Sequence, residues 1–260
     1  MMQTIYSRYS RSRRPEYQIA TFIEADGAYN VVRKKALTPV ARPHILRIIS
    51  NYQVLCDIYG KEHVAAVQME DEDTVRFDFV EGVSWGARIA DIGYHQGKQE
   101  FFSELRQYYH FLEEGKSIQE NNELDFSVCT SSARMVDIDL HPDNILYTTH
   151  GPVIIDYEWL YPDAPLSFVF QRSMMNFYYN SHPSLLENVT SLEEIWNQFG
   201  VTQDDRRCYR RLEKAFSDAV GADVFMNRFQ KKNIRLEEAL SFKKQARDRI
   251  YKYISKLAGS

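Results

Sequence analysis

The first third of the chain has a residue pattern that predicts β-strands. β-branched and aromatic residues are frequent there, and short polar turns separate the apolar segments. The turns include Ala25-Asp26-Gly27 and the acidic run at 70–73. The predicted strands cover residues 3–10, 17–24, 30–37, 63–69 and 74–80.

One amphipathic helix interrupts these strands, with a predicted range of 39–59. Thr38 is the expected N-cap, Pro39 suits the first turn, and Gly60 ends the helix. The apolar residues with helical spacing are Ile45, Ile48, Ile49, Tyr52 and Leu55.

The remainder of the chain is predicted to be mostly helical. Glu81-Gly82 breaks the strand pattern, and a β-hairpin is expected at 145–147 and 152–155. Aromatic residues between 159 and 179 are interpreted as core rather than as an acceptor groove. The predicted helices cover residues 84–93, 98–114, 167–178, 192–200, 203–219 and 236–257. The fold class is therefore α+β.

Composition narrows the class of protein. The chain has 260 residues, 44% of them apolar and 26% charged, and its net charge of −4 predicts no nucleic-acid partner. No run approaches the roughly 18 apolar residues of a membrane span, and the polar start is not a secretory signal. Three scattered cysteines predict a reducing compartment with no disulfide framework, and hence a cytoplasmic protein.

Three polar residues around the predicted hairpin have types suited to phosphoryl transfer. Asp139 and Asn144 precede its first strand, and Asp156 follows its second. In this chemistry one carboxylate orients the acceptor hydroxyl, while an amide and a second carboxylate bind Mg²⁺. Taken singly, each residue is also a common turn former or helix cap. Together they predict a kinase-like phosphotransferase with Asp139 as the catalytic residue.

Two segments resemble a known family. Asp-Leu-His-Pro-Asp-Asn-Ile-Leu at 139–146 and Ile-Ile-Asp-Tyr-Glu-Trp at 154–159 are similar to the catalytic and metal loops of aminoglycoside/choline kinases, within the protein-kinase-like fold. More narrowly, the chain resembles the kinase domain of the bifunctional kinase–methyltransferases that terminate bacterial O-antigen polysaccharides. That match also uses Ser-Arg-Ser-Arg-Arg-Pro-Glu-Tyr at 10–17, Lys-Lys-Ala-Leu at 34–37 and Phe-Val-Phe-Gln-Arg-Ser at 168–173.

The resemblance implies a two-lobed fold, with a five-stranded N-lobe over 1–81 and a helical C-lobe over 82–260. It implies ATP as the phosphoryl donor, Mg²⁺ as the cofactor, and a small-molecule or glycan hydroxyl as the acceptor, favouring a sugar in O-antigen synthesis. The chain lacks the glycine-rich turn of a methyltransferase cofactor site. A methyltransferase or glycosyltransferase partner would therefore be a separate chain.

In the kinase pattern, a lysine on the third strand contacts the nucleotide phosphates, and the apolar residue two positions earlier shares its face. Val32 and Lys34 fit this pattern. Lys35 is the alternative if a bulge shifts the strand, and a solvent-exposed lysine pair is the structural alternative. By the same analogy, the Asp78 carbonyl and the Val80 amide face the adenine edge.

Two features depart from the kinase pattern. The helix at 39–59 contains no glutamate to pair with Lys34, so another carboxylate pairs with it or the pair is absent. The loop after the first strand lacks glycine, which lets backbone amides approach phosphate. It contains Arg11, Arg13 and Arg14 instead. These predict binding to the nucleotide or to an anionic acceptor, with a solvated basic loop as the alternative.

Four further residues surround the predicted loops. Asp137 stands where the family usually has histidine, and its proximity to a second carboxylate can raise a pKa. His141 is expected to support the loop. Glu158 is expected to reach the metal directly or through water, or else to be a surface carboxylate or helix-dipole partner. Arg172 is expected to pair with a buried carboxylate or with the substrate.

Two other functions fit the same sequence. A choline- or aminoglycoside-type small-molecule kinase would need an acidic cleft, which the arginine-rich loop disfavours. A nucleotide-binding or inactive pseudokinase is favoured by the missing helix glutamate, the absent glycine loop and Asp137. The presence of Asp139, Asn144 and Asp156 argues against it, because binding alone does not require all three.

Overall fold

A five-stranded antiparallel sheet forms the first part of the molecule. The computed structural model describes residues 3–27, 29–114, 134–182, 185 and 188–221. The sheet consists of β1 (Gln3–Tyr9), β2 (Ile19–Asp26), β3 (Tyr29–Ala36), β4 (Val67–Asp71) and β5 (Thr74–Asp78). These strands are hydrogen-bonded in the order β1-β2-β3-β5-β4.

A mostly helical part follows this sheet. One helix, α1 (Arg42–Tyr59), comes earlier in the chain, between β3 and β4. The later helices are α2 (Trp85–His95), α3 (Lys98–Glu114), α4 (Leu166–Asn176), α5 (Leu192–Gln198) and α6 (Gln203–Val220). This architecture confirms the predicted α+β fold class. The lobe boundary at 81–82 stays a prediction, and the predicted helix at 236–257 lies outside the described residues.

Two small antiparallel sheets accompany the helices. One contains β6 (Val83–Ser84), β8 (Ile145–Thr148) and β9 (Gly151–Ile154), and it includes the predicted hairpin. The other pairs β7 (Arg134–Asp137) with β10 (Leu160–Pro165), and the sequence analysis missed both of its strands. Proline and aspartate are rare in strands, and β10 contains two prolines, at 162 and 165, and an aspartate at 163.

The start of α1 corrects a prediction. Thr38 forms no side-chain capping hydrogen bond, and Pro39–Ala41 form a separate 3-10 turn. The α-helix begins at Arg42, so the second proline, Pro43, lies in its first turn. Both prolines suit a first turn, because the missing N–H would have no partner within the helix there. The sequence pattern therefore does not decide between them.

The predicted apolar face of α1 is buried. Ile45, Ile48 and Leu55 have no exposed surface, and Ile49 and Tyr52 pack at the edge of the same core. The aromatic stretch after the hairpin is also core, with Tyr179, 60% exposed, as its exception. Its buried members are Trp159, Tyr161, Phe168, Phe170, Phe177 and Tyr178.

The structure describes the state of two cysteines and the character of the helices. Cys208 of α6 is disulfide-bonded, a single bond rather than a disulfide framework. Cys56 of α1 is a free thiol. In the part of the chain that the structure describes, no helix has both the length and the apolar character needed to cross a membrane.

Buried side chains fix the backbone that leads into the polar loops. The Tyr108 hydroxyl of α3 donates to the Leu140 carbonyl at 2.6 Å. The Asn51 amide of α1 donates to the carbonyls of Tyr157, at 2.9 Å, and Glu158, at 3.2 Å. Both anchors are buried, so water does not compete for these carbonyls. One loop is therefore held by α3 and the other by α1.

We predict that Tyr108→Phe destabilises the protein by about 1–3 kcal/mol, because the Leu140 carbonyl loses its short hydrogen bond in a buried position. Denaturation in urea measures the free energy of unfolding. Tyr179→Phe, at an exposed position, is the matched control and should change it by less than about 0.5 kcal/mol. Equal stability of Tyr108→Phe and the wild type would show that this anchor is not formed.

Candidate active site

Two short backbone pairings bring the predicted catalytic and metal loops together. The Ile138 amide donates to the Trp159 carbonyl at 3.2 Å, beside the pairing of β7 with β10. The Ile155 amide donates to the Asn144 carbonyl at 2.8 Å, at the open end of the β8–β9 hairpin. As a result, the loop with Asp139 is fixed beside the segment that follows β9.

Lys34 meets this segment from the five-stranded sheet. Its side chain is buried, and Nζ donates to Glu158 Oε1 at 2.5 Å and to Asp156. Lys35 is exposed on the other face of β3. The strand therefore has no bulge at this point, and Lys34 is the lysine that faces the candidate site.

Glu158 supplies the carboxylate that α1 lacks. Its side chain is only 5% exposed, and Oε1 accepts from Lys34 while Oε2 accepts from Arg13 at 2.5 Å. His44 of α1 lies 3.5 Å from Oε2. The lysine–glutamate pair is thus present, but the glutamate comes from the loop after β9 rather than from the helix. This arrangement favours a lysine-partner role for Glu158, and its role at a metal stays a prediction.

The charges around Glu158 decide its ionisation. Burial by itself raises the pKa of Glu158, but Arg13 and Lys34 outweigh this effect, and the pKa lies well below the ordinary carboxyl value. Glu158 is therefore ionised at neutral pH. An isolated buried carboxylate would be strongly unfavourable. Arg13 and Lys34 together therefore stabilise the ionised form of Glu158 at this position.

The arginine-rich loop is attached to neighbouring segments. Arg13 lies 5.3 Å from the centroid of the Trp159 ring and pairs with Glu158. Arg14 donates to the Asp218 carbonyl at 2.7 Å, and its amide donates to the Val220 carbonyl at 2.8 Å. These two carbonyls belong to the last turn of α6, where basic groups are favourable partners.

The nucleotide roles predicted for this loop remain predictions. Arg13 and Arg14 make contacts within the protein, and Arg11 lies 5.3 Å from the centroid of the exposed Tyr9 ring. The alternative of a simple solvated loop fails for Arg13, which contacts a buried carboxylate.

The predicted adenine-side residues lie on neighbouring strands. Val32 of β3 pairs with Phe77 of β5, and Val31 pairs with Asp78. Lys34 Nζ lies 5.7 Å from the centroid of the Phe77 ring. The Asp78 amide donates to the Ala66 carbonyl at 3.1 Å. Val32 lies on the same strand as Lys34, and Val80 is half-buried after β5. The nucleotide contacts of these residues stay predictions.

Asp156 has an unusual backbone conformation. Its φ of +59° is left-handed, which is uncommon for residues other than glycine, although aspartate tolerates it better than most. Its side chain is 39% exposed, in contrast to that of Glu158. Such local strain often occurs at functional sites. The conformation leaves the Asp156 carboxylate accessible while it contacts Lys34.

The predicted ligands suit a magnesium ion bound together with a nucleotide. Asn144 Nδ2 donates to the Asp139 carbonyl at 3.0 Å, so the amide oxygen is available as a ligand. Asp156 supplies carboxylate oxygens. Among the described residues, no cluster of three or more His, Cys, Asp or Glu side chains could hold a metal. Mg²⁺ often binds through one or two carboxylates plus substrate phosphates and water, and this sparse set fits that mode.

Asp137 is a buried residue that binds the backbone of the loop containing Asp139. Its side chain is 1% exposed, and Oδ1 accepts from the Asp139 amide at 2.8 Å. Burial and the neighbouring Asp139 carboxylate raise the pKa of Asp137 well above its ordinary value, as the sequence analysis anticipated for two close carboxylates. Burial also lowers the pKa of His141, so this ring is neutral at pH 7.

Arg172 of α4 contacts the predicted catalytic residue. Its Nε and Nη2 donate to Asp139 Oδ1 at 3.2 and 3.1 Å, and Nη1 donates to Glu213 of α6. A carboxylate partner was predicted for Arg172, but its identity as Asp139 was not. The roles of Asn51 and Tyr108 were not predicted either. A polar residue next to the apolar face of α1 was the available signal for Asn51.

We predict that Asp137→Asn stabilises the protein by an amount that grows as pH rises above about 4. A buried acid with a raised pKa binds its proton more tightly in the folded state, so wild-type stability falls as pH rises from the ordinary pKa of 3.8 toward the folded pKa. The gap should widen by at most about 1.4 kcal/mol per pH unit. Unfolding in urea at pH 3 to 7 measures it.

Asp91→Asn, at an exposed position on α2, is the control and should show no such widening. A stability difference between Asp137→Asn and the wild type that stays constant or shrinks with rising pH would contradict the assignment. Asparagine keeps the acceptor oxygen for the Asp139 amide, so the variant changes the charge with little change of shape.

Comparisons with known proteins give similarity only at the level of solved structures. No family model matches the chain, and no curated protein matches it. A spectinomycin phosphotransferase in complex with ADP and spectinomycin is 14% identical, with a TM-score of 0.40 over 94% of this chain and 88% of that one. A Plasmodium vivax ethanolamine kinase is 14% identical, with a TM-score of 0.39 over 80% and 69%.

The Rio2 kinase of Chaetomium thermophilum, in a complex with ADP, Mg²⁺ and phosphoaspartate, is 11% identical to this chain. Its TM-score is 0.37, over 81% of this chain and 71% of the Rio2 chain. At these low identities and TM-scores, the similarities provide no argument about activity.

Proposed function

We propose that this protein is an ATP- and Mg²⁺-dependent phosphotransferase that acts on a hydroxyl of a sugar or glycan, in the synthesis of a surface polysaccharide such as O-antigen. The observation that supports it most is the buried Lys34 facing Asp156 and Glu158 beside the loop of Asp139. Kinase-type phosphoryl transfer uses a lysine paired with a glutamate, a metal-binding aspartate and a further aspartate that orients the acceptor, and this arrangement supplies the same groups.

Each residue has a distinct task in this proposal. Lys34 binds the phosphates of ATP, and Glu158 holds Lys34 in place. Asp156 and the Asn144 amide oxygen hold Mg²⁺, which when bound neutralises charge on the phosphate oxygens. Asp139 orients the acceptor hydroxyl. As the acceptor oxygen bonds to the γ-phosphorus, the bond to ADP breaks and the hydroxyl proton passes to Asp139.

The sugar acceptor is the finer part of the proposal. It is supported by the resemblance of residues 10–17, 34–37 and 168–173 to the O-antigen kinases. Each of these three segments contains a residue that is ion-paired with Glu158 or Asp139: Arg13, Lys34 and Arg172. A small-molecule kinase of the choline or aminoglycoside type is the alternative within the enzyme class, and an acceptor screen separates the two.

A pseudokinase is the second candidate, and one observation favours it. Both oxygens of Glu158 are occupied by Lys34 and Arg13, and the arginine-rich loop is attached to α6. A nucleotide must therefore enter a site whose charges are already paired. Binding of ATP without transfer to any acceptor would identify this candidate.

We predict that ATP with Mg²⁺ raises the thermal unfolding midpoint of the wild type and that Asp156→Asn abolishes this rise. Ligand at about 100 times its Kd stabilises the folded state by about 2.7 kcal/mol. Asparagine tolerates the left-handed backbone of Asp156 but lacks its charge. Asp91→Asn is the control and should keep the full rise. An unchanged rise in Asp156→Asn would exclude this residue as a metal ligand.

We predict that Asp139→Asn retains the ATP-dependent rise and loses phosphoryl transfer, because Asp139 contacts the acceptor rather than the nucleotide. General-base groups contribute typically about 10²–10⁴-fold to rate. ADP release, measured against a panel of neutral sugars, uronic acids and amino alcohols, identifies the acceptor class. Wild-type turnover in Asp139→Asn would remove this residue from the mechanism. Stimulation by amino alcohols alone would favour the small-molecule kinase.

A further inference from the structure

We infer that Arg172 is a positioning residue that determines which oxygen of Asp139 meets the acceptor hydroxyl. This inference rests on the proposed function, since it concerns the geometry of the residue that orients the acceptor. Arg172 lies on α4, outside both loops whose motifs suggested phosphoryl transfer.

The contact between the two side chains involves one carboxylate oxygen. Arg172 Nε and Nη2 both donate to Asp139 Oδ1, at 3.2 and 3.1 Å. This differs from the parallel fork in which arginine binds both oxygens of a carboxylate. Within the residues described, Oδ2 of Asp139 has no hydrogen-bond donor. The asymmetry leaves one oxygen free for a hydroxyl and fixes the other.

Two further contacts hold the Arg172 side chain in place. Its Nη1 donates to Glu213, and its guanidinium lies 4.6 Å from the centroid of the Phe216 ring. Both partners belong to α6. The Arg172 side chain is only 18% exposed, so these contacts are little screened by water. A guanidinium fixed by a carboxylate and a ring can orient Asp139 without a large loss of side-chain entropy on substrate binding.

The backbone of Asp139 is fixed independently. Its amide donates to Asp137, and its carbonyl accepts from Asn144 at 3.0 Å. These bonds set the position of the main chain but leave the side-chain torsions free. Arg172 supplies the missing restraint, because its contact with Oδ1 fixes the carboxylate plane. The guanidinium stays charged across the ordinary pH range, so Arg172 is a permanently cationic partner for this carboxylate.

The inference separates catalysis from nucleotide binding. Lys34, Asn144 and Asp156 form the nucleotide side of the proposed site, and Arg172 contacts none of them through a hydrogen bond in the described structure. Loss of Arg172 should therefore reduce kcat for transfer while the KM for ATP stays near the wild-type value. A misplacement of about 1 Å can reduce rate by about 10²-fold.

The test compares Arg172→Gln, Arg172→Ala and Arg172→Lys with Arg210→Gln, an exposed arginine of α6, as control. Transfer is measured with ATP, Mg²⁺ and the sugar that the acceptor panel identifies. We expect about a 10²-fold lower kcat in Arg172→Gln, unchanged KM for ATP, and an unchanged ATP-dependent rise in the unfolding midpoint. Addition of guanidinium at millimolar concentration should restore part of the activity of Arg172→Ala.

The outcomes distinguish this inference from the proposed function. Transfer by the wild type together with undiminished kcat in Arg172→Gln overturns the inference alone. A fall in kcat accompanied by loss of the ATP-dependent rise, without rescue by guanidinium or by Arg172→Lys, shows a merely structural role and also overturns it. Absence of transfer by the wild type overturns the proposed function and, with it, any acceptor that Asp139 would need to orient.

Discussion

The buried contact between Lys34 and Glu158 is the interaction on which the candidate site depends. Lys34 is 3% exposed, and a lone ammonium at such a position would be strongly unfavourable. The ion pair with Glu158 offsets the unfavourable free energy of burying this charge, and Arg13 pairs with the second carboxylate oxygen of Glu158. The pair also connects the five-stranded sheet to the segment after β9. Lys34 also pairs with Asp156, so this lysine joins the sheet to two carboxylates of that segment.

The fold was largely predictable from the sequence, because it depends on periodicity and turn residues. The number of strands in the first sheet and the range of α3 agree with the pattern, and the α1 stripe is buried as expected. The fourth strand begins at Val67 rather than at His63, because Lys61–His63 form a 3-10 turn. The pairing of β7 with β10 was not predictable, since β10 contains residues that disfavour strands and gains its stability from tertiary contacts. The start of α1 was ambiguous between two prolines.

The site was predictable in its parts but not in its connections. The motifs identified Asp139, Asn144, Asp156 and Lys34. The structure places the loop of Asp139 and Asn144 beside that of Asp156 and brings Lys34 of β3 to Asp156. The partner of Lys34 could not be deduced, because Glu158 is 124 positions away in the chain and its role depends on how the loop after β9 folds. For the same reason, the contact of Arg172 with Asp139 required the packing of α4 against the loop.

A double-mutant cycle between Lys34 and Glu158 tests the central claim most directly. The free energies of unfolding of Lys34→Met, Glu158→Gln and the double variant are compared with that of the wild type. Each single change leaves a buried charge with a missing partner, whereas the double change removes both charges. The structure predicts a coupling energy above about 1.5 kcal/mol, and additivity within about 0.5 kcal/mol would contradict it.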